Sequence, residues 1–158
     1  ESTVHNTTRC GTRSIVRESK FIVGGRRAKM GEFPWMVALR FREVPIQFCG
    51  GSLIKADIVL TAAHCLDTYE LIDVRADAGM IDIRKVGGPY HQARLPARFI
   101  LHEDYNKSSD NNDIALIKLR RPFNISRSRG MIGTICLTRK PVDYMKPIEV
   151  AGWGYLRE

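Results

Sequence analysis

Beyond Phe21 the apolar residues fall in short runs, and none has the length or spacing of a helix longer than a turn or two. Phe33 to Phe41 reads as a strand behind Pro34. Phe48 to Ile54 reads as another, with Cys49-Gly50-Gly51-Ser52 permitting a bend or a close backbone approach. Ile58-Val59-Leu60 is a short buried strand, closed by the tight turn Thr61-Ala62-Ala63-His64-Cys65. Leu71 to Ala76, Met80 to Lys85, Ala97 to His102 and Ile114 to Leu119 read as further strands. Gly87-Gly88-Pro89 supplies a turn and the polar run Asn106 to Asn112 a loop. Short strands separated by turn chemistry predict an all-β chain, an antiparallel barrel or sandwich. The 158 residues suffice for one hydrophobic core, and no apolar run approaches the roughly 20 residues that span a bilayer.

Residues 1–20 differ from the rest. They are polar, lack periodicity and read as an extended leader, while residues 21–158 form the folded part. The chain opens Glu1-Ser2-Thr3, which is no signal peptide. The four cysteines, Cys10, Cys49, Cys65 and Cys136, contain no Cys-x-x-Cys pair, which argues against a zinc ribbon or redox dithiol. Their even number points to two disulfides in an oxidising, extracellular compartment, with three pairings open. Sequons at Asn6, Asn106 and Asn124 fit a secreted glycoprotein. The formal net charge is +8, but Lys and Arg are scattered along the chain, with short pairs at Arg26-Arg27 and Arg120-Arg121. A solvated basic surface is expected, and no nucleic-acid partner.

Two segments carry chemistry. His64 stands between small residues at a strand end, and an imidazole titrating near neutrality suits a general base. Asp113 opens the apolar run Ile114-Ala115-Leu116-Ile117, where a carboxylate going into the fold needs partners. A histidine Nδ1–H is one such partner. Each segment alone reads equally well as ordinary structure. His5, His91 and His102 read as surface or structural histidines.

Together, Thr61-Ala62-Ala63-His64-Cys65 and Asn112-Asp113-Ile114-Ala115-Leu116 resemble the trypsin/chymotrypsin-like serine proteases. So do Ile22-Val23-Gly24-Gly25, Glu32-Phe33-Pro34-Trp35, Cys49-Gly50-Gly51-Ser52-Leu53 and Ala151-Gly152-Trp153-Gly154, all in the family's order. The resemblance implies the first of two antiparallel β-barrels, with His64 as general base and acid and Asp113 as its orienting partner. It implies a protein or peptide substrate, the pairs Cys49–Cys65 and Cys10–Cys136, and no cofactor. No metal is expected either, since Gly79 to Lys85 offers one carboxylate and two cations.

The sequence departs from the family in two places. No serine here stands in the Gly-Asp-Ser-Gly-Gly context of the family's nucleophile, so the isolated chain is expected to be inactive. It would need a serine-bearing second half or another protein partner. A second reading is a non-catalytic secreted homologue that acts as a binding or regulatory module. The activation site differs as well. Lys20 is followed by Phe21 before Ile22, so cleavage after Lys20 leaves one residue too many. Cleavage after Phe21 frees Ile22 but needs a chymotrypsin-like activator.

Overall fold

A computed structural model describes residues 9–14, 26–44, 46–85, 87–141 and 143–154. Its strands are β1 (Met36–Phe41), β2 (Gln47–Lys55), β3 (Ile58–Thr61), β4 (Val74–Ala78), β5 (Gln92–Arg94), β6 (Pro96–Leu101) and β7 (Ala115–Leu119). A 3-10 turn at Ser126–Ser128 is the one helical element among the described residues. All pairings are antiparallel, in the order β5-β4-β1-β2-β3-β7-β6. The sheet curls until β4 and β6, near its two ends, touch, giving a half-barrel.

Alternation along each strand fills the concave face. Val37 and Leu39 of β1, Leu53 of β2, Val59 of β3, Ala76 and Ala78 of β4, and Ile117 and Leu119 of β7 are all buried. Trp35, Leu66, Phe123 and Ile132, from outside the strands, join this core. A fully buried aliphatic side chain contributes about 1.5–3 kcal/mol, so this face supplies most of the cohesion. Gly51 of β2 packs closely against β3. A Cβ there would stand 2.6 Å from a methyl of Val59 and 2.9 Å from the Leu60 carbonyl oxygen, a space only glycine fits.

β1 is buried on both faces. Away from the core, Arg40 is fully buried beside the equally buried Asp77 of β4, 3.5 Å away. Asp77 also accepts from Arg75 at 2.9 Å, and the His91 Nε2 lies 3.5 Å from it. Charges removed from water persist when they are paired in this way. His91 is thus a structural histidine, whereas His102 is exposed.

One expected strand is displaced along the chain and another is absent. The strand read over Leu71 to Ala76 runs instead over Val74–Ala78. The Asp73 carboxylate accepts from the Glu70 N–H at 3.1 Å and closes a turn before it. Met80 to Lys85 is not a strand. Gly79 has φ +76° and turns the chain out of β4. Asp82 then folds the next residues on themselves, its side chain accepting from the Arg84 N–H at 3.1 Å and its carbonyl from the Lys85 N–H at 3.0 Å. Short polar side chains that bond nearby backbone compete with strand pairing in this manner. β5 has no apolar alternation to betray it.

The amino-terminal stretch clasps the far end of the chain. Cys10 is bonded to Cys136, and the Gly11 N–H donates to the Thr134 carbonyl. Arg13 lies over the Phe33 and Trp35 rings, 4.7 and 5.3 Å from their centroids, and pairs with Glu149 at 2.8 Å.

Candidate active site

Register brings the two chemical residues together. In the β3–β7 pair, Thr61 faces Ala115. His64 comes three residues after Thr61 and Asp113 two before Ala115, so both emerge at the same end of adjacent strands. A turn holds His64, with the Leu66 and Asp67 N–H groups donating to the Ala63 carbonyl at 2.9 and 3.1 Å. The Cys49–Cys65 disulfide ties that turn to β2. The Thr61 hydroxyl donates to the Gly50 carbonyl at 2.8 Å, a second tie to the same strand.

Asp113 grips the histidine twice. Its Oδ1 accepts from the His64 backbone N–H at 2.8 Å, and its Oδ2 lies 2.6 Å from His64 Nδ1. The loop before it is fixed by Asn112, at φ 56°, whose side-chain amide donates to the Asp104 carbonyl at 3.0 Å. The Asp113 carboxyl is held below the ordinary carboxylate range. The His64 backbone N–H is the largest cause and the His64 ring the next, with the Ala63 N–H adding to them. Asp113 is therefore ionised at neutral pH and only accepts. That places the neutral ring's proton on Nδ1 and the lone pair on Nε2.

Nε2 faces no donor among the described residues. Cys65 Sγ lies 3.6 Å from it, a disulfide sulfur with no proton to give. The sulfurs of Cys49 and Cys65 and the His64 ring form a cluster of metal-ligand type, but bonded to each other the sulfurs offer no thiolate. The ring stands open, its side chain 57% exposed against 24% for Asp113. This arrangement can take a proton at Nε2 from a group presented from solvent, and Asp113 would stabilise the imidazolium that results.

Remaining sequence candidates fall as follows. Asn106 and Asn124 are both exposed. Their side-chain oxygens accept from backbone N–H groups two or three residues on. Asn6, Lys20, Phe21 and Ile22 lie outside the described residues. No Ser hydroxyl among the described residues hydrogen-bonds to His64. A groove of about 1350 Å³ runs between residues 26–36, the 79–84 turn and residues 147–154, away from His64 and Asp113. Trp153 closes one side of it, donating from Nε1 to the Ile81 carbonyl at 3.0 Å. Asp82 lies in its wall with a pKa lowered to about 2, chiefly by the Arg84 guanidinium. The backbone donors of Ala63 and His64 that clamp Asp113 went unread in the sequence, because a main-chain N–H leaves no signature in residue type.

Several known proteins resemble this chain. The family model described as Trypsin matches residues 22–158. The chain is 33% identical to U21-ctenitoxin-Pn1a of Phoneutria nigriventer, over 86% of its own length and 57% of that protein's. It is 34% identical to human Transmembrane protease serine 5, over 92% of its own length and 31% of that protein's. Among solved structures it resembles human heparin binding protein, with TM-score 0.67 and 27% identity, covering 77% of this chain and 52% of that one. The chain thus spans less than two thirds of the length of each of these relatives.

Proposed function

The chain belongs to the trypsin family of serine proteases, and from that membership and the dyad geometry we propose that it is the histidine- and aspartate-bearing half of a secreted serine endopeptidase. The observation that carries this reading is the double grip of Asp113 on His64, at 2.8 Å to the backbone and 2.6 Å to Nδ1. His64 acts as general base toward a serine hydroxyl supplied by a second half, then as general acid toward the leaving amine. Asp113 holds the ring's tautomer and orientation. The substrate is a protein or peptide chain.

The test compares three proteins. A chain continuing into a segment with a Gly-Asp-Ser-Gly-Gly serine is expected to hydrolyse peptides and to label with a serine-directed fluorophosphonate. Asp113→Asn in that chain should lower kcat about ten-thousandfold, by forcing the wrong tautomer. Residues 1–158 alone should show no turnover above a His64→Ala control. Undiminished kcat in Asp113→Asn would overturn the assigned roles. Failure of the longer chain to label would favour the non-catalytic homologue, a binding or regulatory module.

A further inference from the structure

The excess positive charge, scattered in sequence, is gathered by the fold. Residues 83–102 and 114–142 contain eleven Lys and Arg and no Asp or Glu, while the rest of the chain has fewer Lys and Arg than Asp and Glu. These two acid-free stretches are neighbours in space, because β6 pairs with β7. Arg98 lies directly opposite Lys118 in that pair, on the outer face, since Ile117 and Leu119 point into the core. Arg120, two residues beyond Lys118, continues the same face, its Nε donating to the Pro96 carbonyl at 3.0 Å. Arg94 reaches the adjoining Pro122 carbonyl at 2.8 Å. Burial, and after it the nearby charge of Arg121, holds the Arg94 pKa below its usual value.

Like charges directly opposite on paired strands destabilise a sheet, so this arrangement is costly unless something answers it. Among the ion pairs of the described residues, one reaches the group: Lys118 with Asp57. None reaches Arg94, Arg98, Arg120 or Arg121. We propose that the outer face of β6 and β7, with the turn after β7, binds a sulfated polysaccharide through Arg94, Arg98, Lys118, Arg120 and Arg121.

Three observations select that occupant. Four of the five cations are arginines, whose guanidinium forks pair bidentately with planar oxyanion edges. The two disulfides place the chain with extracellular polyanions, not intracellular nucleic acid. The patch also lacks the exposed aromatic rings on which unpaired bases stack, Phe123 being buried and Phe99 half-buried. Arg120 lies past the opposite end of β7 from Asp113, about 20 Å along the strand. A polysaccharide can occupy the patch while a peptide lies at His64, and the inference does not depend on catalysis.

The test measures binding of the full disulfide-bonded chain to heparin, to desulfated heparin and to duplex DNA, over a range of salt. Heparin should bind, with desulfated heparin and DNA far weaker. R98Q/R120Q/R121Q should weaken heparin binding about tenfold or more and reduce the slope of log affinity against log salt. R42Q/K85Q/R139Q removes the same charge from other exposed positions and should change little. Equal loss in the two triple variants, or equal binding of DNA or desulfated heparin, would overturn the proposal. Should the first variant fold poorly, the unaltered chain still decides the matter. Bound heparin should shield Arg98, Arg120 and Arg121 from phenylglyoxal, and equal modification with and without it would refute the site.

Discussion

β1 and the segment 144–150 are both rich in apolar side chains, yet their fates are opposite. β1 is paired on both edges, and Val37, Ala38 and Leu39 are wholly removed from water. In the later segment Tyr144, Met145, Ile148 and Val150 are each more than four fifths exposed. The segment belongs to none of the seven strands. Apolar composition alone therefore does not decide burial in this chain. A run is buried where neighbouring backbone satisfies its N–H and C=O groups and a concave face receives its side chains. β1 thus lies inside a paired and enclosed core, whereas residues 144–150 carry apolar surface without enclosing it.

Substitutions can break or sharpen this contrast. The largest effect is expected from Leu39→Ala, which removes a fully buried side chain and should cost about 3–5 kcal/mol in urea unfolding. The matching truncation Val150→Ala should stay within about 0.5 kcal/mol. Comparable losses at the two positions would refute the contrast. Next comes the disulfide of the histidine turn. Replacing Cys49 and Cys65 by Ala opens a loop with a sequence separation of 16 and should cost about 3 kcal/mol, read as a lower unfolding midpoint. Gly51→Ala follows, at about 1–3 kcal/mol, because its new methyl meets Val59 and the Leu60 carbonyl inside contact distance. Gly88→Ala, where nothing lies within 4 Å, is its control in open space.

The smallest effect concerns Asp113. Its folded pKa lies below the ordinary value of about 3.9, so its contribution to stability is present above that value. It is lost as pH falls through the depressed folded pKa, when the carboxylate that grips His64 becomes protonated. Asp113→Asn should flatten the acid limb of stability against pH. An unchanged acid limb would mean that the grip contributes nothing to the fold.

Much of the fold was legible in the sequence, because short apolar runs stand between turn residues. Val37, Leu39, Ile117 and Leu119 alternate with residues of the other face, and the strands that contain them were located within a few residues. β5 was missed because Gln92-Ala93-Arg94 has no alternation, and its place depends on pairing with Ala76 to Ala78. The strand read at Met80 to Lys85 failed because Asp82 turns the backbone back on itself, and apolar spacing does not reveal that. His64 and Asp113 were visible as residue types in family context. Their mutual position needed the Thr61–Ala115 register, and the main-chain grip on Asp113 needed coordinates. The gathering of Arg98, Lys118 and Arg120 was hidden for the same reason, since twenty residues separate the first two along the chain and one strand spacing separates them in space.

The Cys10–Cys136 bond, 126 residues apart in sequence, turns most of the molecule into a covalent ring. A single peptide-bond cut anywhere between those cysteines releases no piece. The product has gained one water and two new chain ends and has lost no atoms. On a non-reducing gel it should migrate as one species, and only a reductant should separate it into two.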